Sequence, residues 1–124
     1  CQETRKISEG YDGFQVNVCL NYGGRDEIVR AARKFAQDCV AGKAKPEELT
    51  EELFSGDLYS AGIPDPELII RPSGEIRLSN FMLWQCAYSE FYFCDTLWPD
   101  FTRQDMDRAI IDYQRRDRRF GGVK

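Results

Sequence analysis

Short apolar segments alternate with helix-like segments along this chain, and that order constrains the fold more than any other feature. The predicted strands are residues 14–20, 68–71 and 90–94. The predicted helices are residues 25–41, 46–54, 81–88 and the segment that follows Thr102. Alternating strands and helices favour an α/β fold with a parallel sheet built from right-handed crossovers. A sheet of so few strands would leave an apolar edge exposed.

Local signals support the two longer helices. The apolar residues of the first are spaced to lie on one side, and Gly42 follows as a natural C-terminal cap. Thr102 and Asp105 form a capping-box pattern at the start of the last helix. The residues of that helix expected to point inward are Met106, Ala109, Ile110 and Tyr113.

The composition indicates one globular domain. The chain has 124 residues, of which 42% are hydrophobic and 31% charged. We expect a single domain, with residues 1–13 forming a helical tail and turn and residues 14–122 forming the sheet and helix core. The net charge of −4 argues against nucleic-acid binding, which needs a basic surface. No apolar run approaches the ~20 residues of a membrane span.

The five cysteines show no metal-binding or disulfide pattern. None forms a CxxC pair, and the chain has no histidine. Four of them lie within apolar stretches and are expected to be small buried hydrophobes: Cys19, Cys39, Cys86 and Cys94. Free thiols are typical of a reducing, cytoplasmic location.

Two arginines and a hydroxyl residue follow the second predicted strand. Arg71 ends that strand, Arg77 lies in the polar loop after it, and Ser79 is expected to begin the helix predicted at residues 81–88. Ligands of open α/β sheets bind at the carboxyl ends of the strands. A helix N-terminus offers unpaired N–H groups, and guanidinium groups match the geometry of phosphate oxygens. This grouping predicts a phosphate or diphosphate site.

The same residues also have a simpler interpretation. Glu75 lies between the two arginines, and arginines beside a turn are usually solvated or paired with a nearby carboxylate. Similarly, the glycines of the turn at residues 21–25 supply backbone freedom, and a structural role for that turn is favoured over a supporting role at a site. The residues alone do not identify an anion.

The segment RPSGEIRLSNFMLWQCAYSE, residues 71–90, resembles the signature of the cis-prenyltransferases of the undecaprenyl diphosphate synthase (isoprenyl transferase) type. The resemblance continues through FYFCDTLWPDF and RRDRRFGG, and upstream through LNYGGRDEI and PDPELIIR, so that it covers residues 16–122. It implies the parallel-sheet α/β fold of that family. It also implies a transferase that condenses isopentenyl diphosphate with an allylic diphosphate, such as farnesyl diphosphate, into a long-chain polyprenyl diphosphate.

The resemblance assigns roles to particular residues. Arg71, Arg77 and Ser79 would hold the diphosphate of isopentenyl diphosphate. Glu90 would belong to a Mg²⁺ site, together with an aspartate that this chain does not contain. No residue here is assigned as catalytic, because the catalytic aspartate of the family lies outside the matching segment.

The resemblance also implies a homodimer. Arg119 and Gly121 would form a tail that crosses the dimer interface and helps complete the partner's diphosphate site. An aromatic-rich zone would build the core and the subunit interface: Trp84, Tyr88, Phe91, Tyr92, Phe93 and Trp98. Membrane contact would be at most peripheral, through the lipid product.

One departure from the family pattern is large. The family has an early DGNxRW-type segment that cradles the allylic diphosphate, and Asp12, Gly13 and Phe14 do not match it. We therefore expect a truncated cis-prenyltransferase fold that lacks the N-terminal half, binds Mg²⁺ poorly and is inactive alone. Two alternatives are a non-catalytic partner subunit of a two-subunit cis-prenyltransferase and an unrelated α/β phosphate-binding module.

Overall fold

The computed structural model describes residues 2–117. In chain order, the helices and strands are α1 (Gln2–Ser8), α2 (Gly24–Val40), α3 (Glu51–Ser55), β1 (Leu68–Arg71), β2 (Glu90–Phe93) and α4 (Arg103–Gln114). Single 3₁₀ turns lie at Pro46–Glu48 and Trp98–Asp100. Within the described part of the chain, none of the helices is both long and apolar enough to cross a bilayer.

The core forms between α2, α3 and the segment before β2. Ala31 and Phe54 are buried in it together with Leu58. The indole of Trp84 packs on Phe54 with the ring centroids 4.7 Å apart, and its Nε1 donates to Ser55 Oγ at 2.9 Å. The indole N–H is therefore satisfied while its partly buried ring packs on the core, which is the usual arrangement for a tryptophan there.

The long helix α2 agrees with the sequence prediction. Its apolar stripe buries Ala31 and Phe35. The helix ends before Gly42, whose φ of 69° lies in the left-handed region, and whose N–H donates to the carbonyl of Cys39 at 3.0 Å. A glycine in this position ends a helix at little conformational cost.

The sheet consists of two parallel strands. The register pairs Leu68 with Glu90 and Arg71 with Phe93. The parallel direction and both strands agree with the prediction. The register also places Arg71 at the carboxyl end of β1 and Glu90 at the amino end of β2, so these two residues lie at opposite ends of the sheet.

The last helix begins with the predicted capping box. Thr102 donates its N–H to Asp105 Oδ2 at 2.8 Å and its hydroxyl to the same oxygen at 2.6 Å. Ala109 is fully buried, as expected. The prediction was wrong for Met106 and Ile110, which are both 41% exposed, because among the described elements this helix packs mainly against β2.

Residues 14–20 do not form the buried strand that their sequence suggests. The segment is coil, and its apolar side chains alternate with polar ones while remaining 66–87% exposed. A strand needs a neighbour that accepts its backbone hydrogen bonds. Within residues 2–117, no strand pairs with this segment, so the sheet has two strands rather than three.

The helix predicted at residues 81–88 is also absent. The segment is a series of turns, with Cys86 N–H to Met82 C=O at 2.9 Å as an i to i+4 bond. Ser79, Asn80 and Met82 all have positive φ, between 48° and 65°. Such residues interrupt the repeating φ of a right-handed helix, although the apolar spacing is helical.

Two smaller expectations also need correction. The helix predicted at residues 46–54 is divided into the 3₁₀ turn and α3, where Thr50 accepts the N–H of Leu53 as an N-cap. Of the cysteines expected to be buried, only Cys86 is, and burial raises the pKa of its thiol. Cys19 is exposed because it lies in the unpaired segment 14–20.

Candidate functional site

The arginine and hydroxyl residues predicted as an anion site lie together at the carboxyl end of β1. Arg71 ends the strand, and its Nη2 donates to Ser79 Oγ at 3.3 Å. The loop between them turns back through Ser73 and Gly74, both with positive φ. Their N–H groups donate to the carbonyls of Thr96 and Cys94 at 2.8 and 2.9 Å, so the start of the loop is tied to the segment after β2.

Glu75 lies between the two guanidinium groups. It forms an ion pair with Arg77 and a longer one with Arg71, 3.8 Å from Nη2 to Oε2. The side chain of Arg71 is 30% exposed and that of Arg77 63% exposed. The simpler interpretation, in which Glu75 pairs with the two arginines, therefore describes the site in this structure. Two cations and one carboxylate leave a net positive charge that suits an anion.

A cavity of about 200 Å³ opens beside these groups. Its walls are mostly apolar, and the two guanidinium groups are its charged members. The lining residues are Ile69, Ile70, Arg71, Arg77, Leu78, Phe81 and Phe93. Such a cavity suits a ligand with an anionic head and a small hydrocarbon part.

The helix N-terminus expected at Ser79 and Asn80 is not there, so the dipole of the helix predicted at residues 81–88 does not contribute to the site. Instead, Asn80 binds the start of α2. Its Oδ1 accepts the N–H of Arg25 at 2.9 Å, and its carbonyl accepts the N–H of Gly24 at 2.7 Å. The glycine turn at residues 21–25 thus borders the site, a position that both the structural and the supporting role allow. One sequence signal could have indicated this contact. Gly23 at the N-cap of α2 has no side chain to accept a backbone N–H, so the cap has to come from another part of the chain.

A buried carboxylate behind the turn was not anticipated. Glu27 is fully buried and accepts hydrogen bonds from the Tyr22 hydroxyl at 2.5 Å, the Tyr59 N–H at 2.7 Å and Gln85 Nε2 at 3.2 Å. Burial, followed by the hydrogen bond to Glu27, raises the pKa of Tyr22 well above its usual value. Tyr22 also packs edge-on against Phe81, a lining residue of the cavity. The sequence signal for this buried carboxylate was the position of Glu27, which lies on the same side of α2 as the apolar residues Ala31 and Phe35.

Glu90 does not join the arginine cluster. The sheet register places it beside Leu68, three residues before Arg71, which is roughly 10 Å along a strand. Its Oε2 accepts Arg116 Nη1 at 2.8 Å, and Arg116 also binds Asp112. Glu90 first and Asp112 second raise the pKa of Arg116.

The described residues do not fit a complete Mg²⁺ site. Among residues 2–117, no group of three or more histidine, cysteine, aspartate or glutamate side chains is placed to hold a metal ion. Glu90 offers one carboxylate, and that carboxylate is already paired with a cation. Mg²⁺ prefers six oxygen ligands, several of them waters, and one engaged carboxylate holds it weakly.

The predicted dimer-interface residues are the tail, Arg119 and Gly121, and the aromatic-rich zone. Arg119 and Gly121 lie outside the described residues. The aromatic zone is divided: Trp84 packs in the core, whereas Tyr88 and Trp98 are about 70% exposed. Exposed aromatic side chains of this size are typical of interfaces.

The sequence matches the family described as "Putative undecaprenyl diphosphate synthase" over residues 1–121. The isoprenyl transferase of Clostridium perfringens is 56% identical over 112 residues, which are 90% of this chain and 44% of that protein. The isoprenyl transferase of Heliobacterium mobile is 59% identical over 109 residues, or 88% of this chain and 42% of that protein.

Solved structures agree with these sequence matches. Lavandulyl diphosphate synthase from Lavandula x intermedia, in complex with dimethylallyl diphosphate, superposes with a TM-score of 0.92 at 39% identity, covering 97% of this chain and 52% of that one. A probable undecaprenyl diphosphate synthase from Campylobacter jejuni gives 0.76 at 36% identity, covering 97% and 53%. The chain spans about half the length of these relatives. It belongs to the undecaprenyl diphosphate synthase family of isoprenyl transferases, the cis-prenyltransferases.

Proposed function

We propose that this chain provides the isopentenyl diphosphate site of a cis-prenyltransferase. The enzyme would condense isopentenyl diphosphate with an allylic diphosphate, such as farnesyl diphosphate, to form a long-chain polyprenyl diphosphate. The observation that supports this function best is the grouping of Arg71, Arg77 and Ser79 at the carboxyl end of β1, beside an apolar cavity. A diphosphate with a short branched hydrocarbon matches both parts of that site.

The bound diphosphate would take the place of Glu75 as the counter-ion of the two arginines. Arg71 and Arg77 would donate charge-assisted hydrogen bonds to its oxygens, and the hydroxyl of Ser79 would donate another. Apolar neighbours such as Ile70 and Phe81 would contact the five-carbon group. Because Arg71 is fixed by the sheet, the substrate would be held in one orientation.

The reaction forms one carbon–carbon bond and breaks one carbon–oxygen bond. The double bond of isopentenyl diphosphate attacks the allylic carbon, the allylic diphosphate leaves with the electron pair of its C–O bond, and a proton is then lost from the isopentenyl unit. The role of the described residues is to hold and orient the nucleophile, and the chain has no histidine to act as a base. The family implies Mg²⁺, which would stabilise the charge of the leaving diphosphate. Glu90 is proposed as one of its ligands.

The proposed assembly is a homodimer in the cytoplasm. The exposed aromatic residues Tyr88 and Trp98 and the apolar side of α4 suit a two-fold interface, in which one patch meets its own copy. Arg119 and Gly121 are proposed to cross that interface. The substrates and the second subunit are then the partners of this chain.

A second candidate is the non-catalytic subunit of a two-subunit cis-prenyltransferase. The ion pair between Glu90 and Arg116 favours it, since a carboxylate engaged by a cation is less available to a metal. The two candidates differ in what Arg77 does. A catalytic chain needs the guanidinium for substrate affinity, whereas a purely structural subunit does not.

The test is the substitution Arg77→Ala in the full-length protein that carries these residues. Loss of a charge-assisted contact should raise the KM for isopentenyl diphosphate by about 10- to 100-fold and change the KM for the allylic substrate by less than about twofold. Arg103→Ala is the matched control, because Arg103 is 93% exposed on α4 and forms a weak pair with Asp107. Equal effects on both substrates, or none, would contradict the proposal.

A further inference from the structure

We propose that Asn80 is a positioning residue for the diphosphate site, through its attachment to the start of α2. This inference rests on the proposed function, because it concerns the affinity for isopentenyl diphosphate. Asn80 follows Ser79 directly and lies three residues after Arg77. Its own side chain makes its contact with α2 rather than with the arginines, so it acts through its neighbours.

The attachment consists of two hydrogen bonds across 55 residues of sequence. The side-chain Oδ1 accepts the N–H of Arg25 at 2.9 Å, and the backbone carbonyl accepts the N–H of Gly24 at 2.7 Å. The first N–H groups of a helix have no partner within the helix, and Gly23 has no side chain to supply one. Asn80 therefore caps α2 from a distant part of the chain.

The two glycines at this point leave the space that Asn80 occupies. A Cβ on Gly23 would lie 2.9 Å from Asn80 Nδ2. A Cβ on Gly24 would lie 3.2 Å from the Asn80 carbonyl oxygen and 3.0 Å from Leu83 Cγ. Gly23 is extended, with a φ of −148°, and Gly24 does not have a positive φ either. The close approach of the loop therefore explains these glycines better than a left-handed turn does.

The backbone at the site needs this support. Ser79 and Asn80 have φ values of 49° and 65°, a region that non-glycine residues avoid unless neighbouring structure holds them there. Asparagine tolerates the left-handed region better than most residues. The conformation that aims Ser79 Oγ at Arg71 thus depends on a residue that can both adopt positive φ and bind α2.

The loop of the site is consequently attached at both ends. Ser73 and Gly74 tie its beginning to the segment after β2, and Asn80 ties its end to α2. Without the second attachment, Arg77 and Ser79 would sample more conformations, and ordering them on binding would reduce the affinity for the diphosphate. The groups that contact the substrate would all still be present.

The test is Asn80→Gly in the full-length protein. Glycine keeps the positive φ and the backbone carbonyl but removes the side-chain cap. The KM for isopentenyl diphosphate is expected to rise by about three- to tenfold, the range that loss of one helix cap corresponds to, with kcat and the KM for the allylic substrate within about twofold. Gly24→Ala, which crowds the same contact from the α2 side, should have the same signature and serves as the second variant if Asn80→Gly accumulates poorly.

The matched control is Thr50→Ala, which removes the N-cap of α3 away from the site. It should lower the melting temperature as much as Asn80→Gly does and leave both KM values unchanged.

Two outcomes would overturn the positioning role. One is a wild-type KM for isopentenyl diphosphate in both Asn80→Gly and Gly24→Ala, and the other is a loss of affinity for both substrates that parallels the fall in melting temperature. If Arg77→Ala also has no effect, the proposed function itself is wrong. If Arg77→Ala raises that KM and the Asn80 and Gly24 variants do not, only the positioning role is wrong.

Discussion

Arg116 Nη1 donates to Glu90 Oε2 at 2.8 Å and so joins α4 to the first residue of β2. The carboxylate that the family resemblance assigns to Mg²⁺ is thus the acceptor of a guanidinium group. Both side chains are about 30% exposed, and an ion pair of that kind contributes at most about 1 kcal/mol. On the proposed function, a divalent cation held by further oxygen ligands would have to displace this ion pair, so Arg116 and the metal would compete for Glu90.

The first prediction follows from that competition. In the full-length protein, Glu90→Gln should lower the Mg²⁺-dependent rate and raise the Mg²⁺ concentration needed for half-maximal activity. Arg116→Gln should lower the half-maximal Mg²⁺ concentration, because it removes the competing cation. The measurement is a Mg²⁺ titration of activity, with Glu47→Gln, an exposed glutamate of the 3₁₀ turn, as the control. An unchanged Mg²⁺ optimum and rate in Glu90→Gln would remove Glu90 from the metal site.

The sequence predicts those elements whose signals are local. The start of α4 is specified by Thr102 and Asp105, three residues apart, and the end of α2 by Gly42. The grouping of Arg71 with Ser79 was predictable because a strand end and a short loop bring them together. Such features need only neighbouring residues, which a single sequence displays directly.

The features that the sequence did not reveal depend on distant contacts. Asn80 caps a helix 55 residues earlier in the chain, and no periodicity reports that pairing. The spacing at residues 81–88 is helical, yet the positive φ of Met82 makes the segment a series of turns around the core. The alternation at residues 14–20 fits a strand, but pairing decides strand formation, and the described chain offers no partner.

The second prediction concerns the buried carboxylate of Glu27. Its partners Tyr22, Tyr59 and Gln85 all donate to it, so Glu27→Gln would turn an amide N–H₂ toward donor groups. The free energy of unfolding should fall by about 1–3 kcal/mol, the cost of leaving buried polar groups unsatisfied. Urea unfolding measures it. Tyr22→Phe is the control, since it removes one donor and leaves Glu27 with two, and it should cost less. A change within about 0.5 kcal/mol for Glu27→Gln would show that the network contributes nothing to stability.

The third prediction is a pH dependence at the start of α4. Hydrogen bonds from Thr102, first from its hydroxyl and then from its N–H, hold the pKa of Asp105 below its usual value. A lowered pKa in the folded state means that the contribution to stability is present above the unfolded pKa of about 4 and is lost as pH falls through the folded value. The stability difference between wild type and Asp105→Asn should therefore be constant near pH 7 and shrink below about pH 4. Thermal unfolding of both proteins across that range checks it, and a pH-independent difference would contradict the assignment.

The last prediction is that residues 1–124 expressed alone bind isopentenyl diphosphate, associate, and do not elongate substrate. The arginine site is formed within the described residues, whereas a complete metal site is not. The apolar side of residues 14–20 is exposed and unpaired, which favours pairing with another chain. Val16→Lys together with Val18→Lys should reduce the mass measured by light scattering. The matched pair Val29→Lys and Val40→Lys, two exposed valines on α2, should not. A stable monomer that still elongates substrate with Mg²⁺ would show that these residues contain the whole catalytic site and that the exposed segment needs no partner.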